Sequence, residues 1–504
     1  MTPTTLRDDQ RPLARPVDGA VPEAHPTILK GVLSMSDEKT DLLLLDGMIA
    51  AKEAEFVTRT THSAAKRAEA RQHLAGGVAS AWQDSQPVSV WIDHGKGSTI
   101  WDVDGNEYCD MHGGFGVGLA GHAHPAIVEA VQRRVEIGTH FAMPTEDLII
   151  VTRLLSERFG LPQWRFSNSG TEATMDAIHL IRAATGRVKI IKVEGSYHGH
   201  HDSVQVSTYS TDEGDIGPAD HPNSVRFGVA YPPEVVNLTK VVPFGNLEAV
   251  ERVLNENKGE IAGMIIEPIM MNIGMITPPA GYHQQLKDLL HAHGAYLIFD
   301  EVKTGLAVAP GGATELFGVT PDIVALAKAL AGGLPCGAIG MTEELAKLIA
   351  DNKYQQVGTF NGNPLTMAAT KANLTQVLTP EGYAHLEKLR SIMADGVEAL
   401  MAEYDIPGYV ASNGAKGSVV FTEQLRNYRD FLGYPDQFGH AHWLYQLLGG
   451  VFLPPWGKTE QFTLSVQHTE ADAQLFVRNF ETFAKDLAAA RGAIATAPVP
   501  ALVE

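Results

Sequence analysis

Cysteine is scarce: Cys109 and Cys336 are the two thiols, far apart and in no spacing that suits a metal. A disulfide framework is therefore not expected, and a reducing cytoplasm is the compartment that fits. Long apolar runs are lacking too. None approaches the roughly 20 residues that span a bilayer, and the first residues hold no apolar signal core. Basic charge is in deficit, with 39 Lys and Arg against 59 Asp and Glu and a net charge of −20. That balance opposes nonspecific binding to nucleic acid or an anionic membrane, so an anionic ligand needs a local site.

What is present is material for a large core. With 504 residues, 44% of them hydrophobic, and 49 glycines, the chain exceeds one ordinary core and suits a large catalytic domain with smaller lobes. Residues 1–35, rich in Pro, Thr, Arg and Asp without apolar periodicity, read as a mobile arm. Residues 36–143 begin with a helical pattern from Ser36 to Leu74, marked by Leu42, Leu45, Met48 and Ile49 on one face. Val88–Ile92 and Thr99–Tyr108 then resemble a hairpin turning at Asp104-Gly105.

Residues 144–375 alternate helical stretches with short buried strands at 188–193, 261–266, 295–299 and 323–327. This alternation predicts an α/β domain with a mainly parallel sheet, whose ligands gather at the carboxyl ends of the strands. A helix is expected over 172–185, capped by Gly186. Residues 376–490 give a long helix and a mixed α/β tail with strands near 417–421 and 462–466, a further lobe. The Ala/Pro-rich end, 491–504, reads as frayed.

Four segments carry chemistry. Asp322-Ile323-Val324-Ala325-Leu326-Ala327-Lys328 delivers a lysine from an apolar run into a glycine-rich turn, Ala331-Gly332-Gly333. Burial favours its neutral amine or an imine, as a carbonyl-binding lysine needs. Ala295-Tyr296-Leu297-Ile298-Phe299-Asp300 ends a second apolar run on a carboxylate. Ser167-Asn168-Ser169-Gly170-Thr171-Glu172 precedes a helix and supplies hydroxyls and free amides for an anion. Glu194-Gly195-Ser196-Tyr197-His198-Gly199-His200-His201 puts an aromatic ring on a turn at another strand end. Its histidines invite a metal reading, yet further ligands at suitable spacing are lacking. Each segment also has an ordinary reading: a strand-end lysine, an N-cap, a turn. Together they are an anion cradle, a stacking ring, a carboxylate and a lysine, the four things pyridoxal phosphate requires.

From about Leu74 to Asp486 the chain resembles the class III aminotransferases of fold-type I. It is most similar to the branch holding glutamate-1-semialdehyde aminomutase and β-amino-acid aminotransferases. The resemblance rests on Trp101-Asp102-Val103-Asp104-Gly105, Gly121-His122-Ala123-His124-Pro125, Asn168-Ser169-Gly170-Thr171-Glu172-Ala173, Tyr197-His198-Gly199, Glu267-Pro268, Asp300-Glu301-Val302-Lys303-Thr304-Gly305, Phe317-Gly318-Val319-Thr320-Pro321-Asp322 and the Lys328 segment. It implies a seven-stranded, mainly parallel sheet between helices, with a smaller α+β lobe built from the N- and C-terminal segments. It also implies pyridoxal 5'-phosphate as cofactor, Lys328 as the imine lysine and Asp300 as partner of the pyridine nitrogen. Tyr197 becomes the stacking ring, Ser169, Gly170 and Thr171 the phosphate cradle, and Asn272 a neighbour of the ring's phenolic oxygen. His198, Glu267 and Val302 complete the expected cofactor site. Gly358-Thr359-Phe360-Asn361-Gly362-Asn363-Pro364 is similar to the loop whose threonine reaches the neighbouring subunit's phosphate, which implies a homodimer with shared sites.

The chain departs from the family where substrate binds. Gly76-Gly77-Val78-Ala79-Ser80-Ala81-Trp82-Gln83 and Thr304-Gly305-Leu306-Ala307 both lack an arginine that the branch often has. A neutral, aromatic mouth around Trp82 and Gln83 is expected, with Arg426 or Arg429 as candidates for a keto-acid carboxylate. The implied activity is amino transfer between an amine or β-amino acid and a keto acid or aldehyde. An intramolecular aminomutase, an epimerase and a noncatalytic cofactor-binding protein are the alternatives.

Overall fold

The computed structural model describes residues 37–209, 213–455 and 462–496; the arm expected over 1–35 lies outside them. Strands β1 (Ile92–Lys96), β2 (Thr99–Asp102) and β3 (Glu107–Asp110) form an antiparallel meander in an outer lobe. The Asp104-Gly105 turn joins β2 to β3, not the Val88 stretch to β2 as the sequence suggests. The cause is local: the Asp102 carboxylate accepts the amides of Asp104 (3.0 Å) and Asn106 (2.8 Å), folding the chain back at once. Val88 and Ser89 are buried without joining a strand.

The large sheet comprises β4 (Gln163–Ser167), β5 (Lys189–Val193), β6 (Thr239–Val242), β7 (Ile261–Ile266), β8 (Tyr296–Asp300), β9 (Ile323–Leu326) and β10 (Gly337–Met341). Its order is β4-β10-β9-β8-β7-β5-β6. Every pairing is parallel except those of β10 with β4 and β9. All six residues of β7 and all four of β9 are buried, as expected of strands covered on both faces. The helix Gly170–Thr185 packs Ala177, Leu180 and Ile181 against one face and stops at Gly186, which adopts φ 67°.

A third lobe holds β11 (Tyr409–Asn413), β12 (Lys416–Val420) and the short β14 (Phe462–Thr463) in an antiparallel sheet, while β13 (Val451–Phe452) joins β3. The helices Pro380–Glu403 and Glu470–Thr496 belong to this lobe. The latter continues past the expected fraying point because Arg491 is tied down. Its Nη2 lies 2.6 Å from Asp41 Oδ2, and its Nη1 donates to Tyr404 O at 2.8 Å. Among the described residues no helix is long and apolar enough to cross a membrane.

Candidate active site

Strand β9 ends at Leu326, and the chain then turns abruptly: Ala327 has φ −161° and ψ −137°, and Lys328 has φ +40°. A non-glycine residue held there costs about 1–3 kcal/mol and persists only where its surroundings enforce it. Asn373 is part of that enforcement, since its Nδ2 donates to Ala329 O (2.8 Å) and Leu330 O (3.0 Å). Lys328 is half-buried, and loss of water around its amine pulls its pKa below the usual lysine range. A neutral, nucleophilic amine is thereby favoured.

Asp300 closes β8 one strand away. Its Oδ2 lies 2.7 Å from His198 Nδ1, and its Oδ1 accepts the Val302 amide at 3.0 Å. Glu267 follows β7 and is held by three groups: the amides of Tyr197 (2.9 Å) and Met271 (3.1 Å) and the Asn272 side chain (3.0 Å). Burial raises its pKa. Glu267 thus fixes the two turns that carry Tyr197 and Asn272.

The helix start is capped by side chains: Ser169 Oγ accepts the Glu172 amide at 3.2 Å, and Glu172 Oε2 accepts the Asn168 amide, just before the cap, at 2.6 Å. The Gly170 and Thr171 amides, in the first turn, have no intrahelical acceptor, the arrangement at helix starts that bind anions. Gly199, at φ +95°, brings the Tyr197 turn so close that a Cβ there would sit 2.7 Å from Thr171 Oγ1.

These groups converge on a cavity of about 310 Å³ at the carboxyl ends of the strands. Ser169, Gly170, Thr171, Tyr197 and His198 line it from the helix start and the β5 turn; Glu267, Asn272, Asp300, Val302 and Lys328 complete it. The residues fit pyridoxal phosphate. The Lys328 amine and the buried Asp300 carboxylate share one space with a helix start, and His198 Nε2 is buried without a hydrogen-bond partner. Among the described residues no cluster of His, Cys, Asp and Glu could hold a metal ion.

Other expected positions fall differently. Trp82, in the turn Ala81–Gln83, meets Phe115 (5.3 Å between ring centroids) and Tyr197 (5.5 Å) edge to face. Trp82 and Gln83 line an adjoining cavity of about 780 Å³ that also reaches Tyr197 and Lys328. Thr359 does not line its own chain's cofactor cavity, although its loop adjoins it through the 3.0 Å bond from Asn168 Nδ2 to Asn361 Oδ1.

The two arginines are elsewhere. Arg426 is 67% exposed and paired with Asp430. Arg429 donates to both oxygens of Glu194, at 2.9 and 2.7 Å, and to Ile216 O. Its fork is thus taken up by a buried carboxylate, a pairing across the sequence that no local pattern announces.

The mouth is aromatic and also carries amines. A neighbouring cavity of about 700 Å³ is walled by Trp82, Phe115, Tyr209, Phe227 and Tyr231, and two lysines that sequence reasoning missed, Lys303 and Lys416, line it as well. Lys303 follows the Asp300 motif directly, which could have marked it. Lys416 opens a strand whose five residues are all buried, so a lysine on an inward strand was the available signal.

A family profile described as Aminotransferase class-III matches residues 80–455. The glutamate-1-semialdehyde 2,1-aminomutase of Persephonella marina is 37% identical over 428 residues, 83% of this chain and 97% of that protein. The solved omega-transaminase of Sphaerobacter thermophilus is similar with a TM-score of 0.80 and 33% identity, covering 84% of this chain and 97% of that one. An alanine variant of a glutamate-1-semialdehyde aminomutase from Pseudomonas aeruginosa PAO1, solved in complex with PMP, gives 0.81 and 28%, covering 88% and 99%.

Proposed function

Since the chain belongs to the class III aminotransferases, pyridoxal phosphate enzymes of fold-type I, we propose that it moves an amino group from an amine or β-amino acid to a keto acid or aldehyde in two half-reactions. The observation that carries this reading is the meeting of half-buried Lys328, buried Asp300 and the Ser169 helix start at one cavity. The cofactor supplies a carbonyl that condenses with amines and a ring that withdraws electrons from the carbon being deprotonated. Lys328 would attach it and then carry the proton between substrate carbon and cofactor. Asp300, steadied by His198, would hold a proton on the ring nitrogen. Gly170 and Thr171 would bind phosphate through their amides, Tyr197 would cover the ring, and Asn272 would lie by its phenolic oxygen. Trp82 and Phe115 would exclude water from the substrate side.

A homodimer is part of the reading. Ile137, Phe141, Met143, Ile149 and Phe360 are large apolar side chains left exposed, and the rings of His140 and Phe360 lie 4.9 Å apart beside Thr359. A patch of this kind suits a second copy of the chain, with Thr359 offered to the partner's phosphate. Two buried, unpaired cysteines suit a reducing cytoplasm.

The second reading, an intramolecular aminomutase, is favoured by the similarity to a glutamate-1-semialdehyde 2,1-aminomutase at 37% identity. Net amino transfer separates the two. Purified holoenzyme given an amino donor and a keto acid should form a new amino acid in proportion to donor consumed. Isomerisation of one substrate without such transfer would replace the main reading with the second.

A further inference from the structure

Lys192, on β5, is a lysine with no exposed surface. Its Nζ donates to three backbone carbonyls, those of Ser196 (3.0 Å), Val204 (3.1 Å) and Val206 (2.6 Å), and reaches Thr208 Oγ1 at 3.3 Å. All four partners accept, which is the set an ammonium needs. A charge taken out of water is stable only with its hydrogen bonds complete, so these carbonyls are held as firmly as the lysine is. They lie on the two segments that carry Tyr197 and Tyr209. The Ser196 carbonyl and the Tyr197 amide are two ends of one peptide group, and that amide donates to Glu267 Oε1 at 2.9 Å. One peptide is therefore gripped from both ends, and each hydrogen bond polarises it in favour of the other. On the second segment, Val206 precedes Ser207, which holds φ +50°, a left-handed backbone that serine rarely adopts. Ser207 is clamped in turn by Val225, whose carbonyl accepts its amide at 2.6 Å and whose amide donates to its Oγ at 3.0 Å. Tyr209 follows two residues on, with its ring stacked against Tyr197 at 6.5 Å between centroids and 24° between planes.

We propose that Lys192 is a positioning residue whose ammonium sets the Tyr197–Tyr209 pair, and with it both the ring that covers the cofactor and a wall of the substrate mouth. Lys192 lines neither cavity, whereas Tyr197 lines both and Tyr209 the mouth, so it acts through the tyrosines. The proposal rests on the aminotransferase reading for the place of Tyr197 over the cofactor. Removing the ammonium releases the Ser196 and Val206 carbonyls together, so the two tyrosines should loosen as a unit. Lys328, at the end of β9, has no contact with Lys192 and should keep its place.

The test compares Lys192→Met with Leu290→Ala, which empties a fully buried position on the helix Tyr282–Ala292 and stands for a general loss of stability. Hydrogen exchange of the cofactor-free proteins, pyridoxal phosphate affinity by fluorescence titration, and circular dichroism of the bound cofactor's absorption band are measured on both. Lys192→Met should exchange faster across 195–209 than elsewhere, bind the cofactor about tenfold or more weakly, and alter the sign or size of the band. Leu290→Ala should loosen its own helix and leave the affinity and the band as in wild type. If the methionine variant does not fold, Lys192→Gln, which keeps donors for two carbonyls, is read by the same measurements against the same outcomes. Wild-type affinity and band in the Lys192 variant, or equal changes in Leu290→Ala, overturn the proposal. Conversion of the bound cofactor by amine donors is followed separately in the wild type. Its absence with every donor defeats the aminotransferase reading, while the effect of Lys192 on cofactor binding stands by itself.

Discussion

His198 Nδ1 stands 2.7 Å from Asp300 Oδ2, with the two side chains 0% and 4% exposed. A carboxylate so enclosed has two oxygens to place: His198 takes one and the Val302 amide the other. The histidine is therefore placed to set the orientation in which Asp300 would meet the ring nitrogen. His198→Ala should lower half-reaction rates about ten- to hundredfold, and Asp300→Ala should lower them further, because the first removes a charge-assisted bond and the second the charge itself. Stopped-flow absorbance at saturating donor, with cofactor content checked, measures both. A His198→Ala rate equal to wild type would show that Val302 alone positions the carboxylate.

Lys328 is expected to be the attachment point, because its strained backbone sets an amine of lowered pKa at the end of β9. Borohydride reduction of the holoenzyme followed by peptide mapping should find the pyridoxyl group on Lys328, and Lys328→Ala should abolish turnover. Lys303 is the informative competitor, since it lines the same cavity. A label there would reverse the two assignments.

The Arg429–Glu194 pair joins the C-terminal lobe to the residue just after β5, three positions before Tyr197. Glu194 is 3% exposed on its side chain, so Arg429→Ala strands a buried carboxylate and should cost about 3–5 kcal/mol. Replacing both residues with methionine should recover much of that loss, because no charge is then left unpaired. Chemical denaturation of the three proteins checks it. A single variant as stable as wild type would mean that water reaches Glu194.

The segments that could be read from sequence were those where a long apolar run ends on a residue with chemistry: β5 before Tyr197, β7 before Glu267, β8 at Asp300 and β9 before Lys328. Strands β4, β6 and β10 were not legible. Gln163 and Arg165 of β4 are exposed, β6 is only four residues long, and β10 carries two glycines. Gly337 of β10 is required by packing, since a Cβ there would strike Ser169 O, a contact known only once the strands are paired. The same limit explains the substrate side. Lys303 and Lys416 line one cavity from two lobes, and Arg429 is claimed by Glu194 from another lobe, placements that no local pattern announces.

Thr359 lies in an exposed turn beside Phe360, which is 59% exposed. If that loop completes the partner's phosphate site, a dimer of Lys328→Ala and Thr359→Ala protomers should contain one intact site and one doubly impaired site. Mixing the two impaired variants under conditions of subunit exchange should then restore activity above the mean of the separate proteins. Cofactor release at dilutions that give monomers, followed by sedimentation, provides a second measurement. Full activity in a verified monomer would remove Thr359 from the site.

Substrate preference follows from the cavity walls. Trp82, Phe115 and Tyr197 already touch edge to face, and Tyr209, Phe227 and Tyr231 extend the surface. An aryl group inserted there gains ring contacts of about 0.5–1.5 kcal/mol each beyond burial, which the short aldehyde chain of glutamate semialdehyde lacks. An aryl β-amino acid should therefore outperform glutamate semialdehyde in kcat/KM by about tenfold or more. A donor panel read by conversion of bound cofactor, with product analysis for net transfer, makes the comparison. Rapid isomerisation of glutamate semialdehyde with aryl donors inert would reverse this ranking and establish the aminomutase.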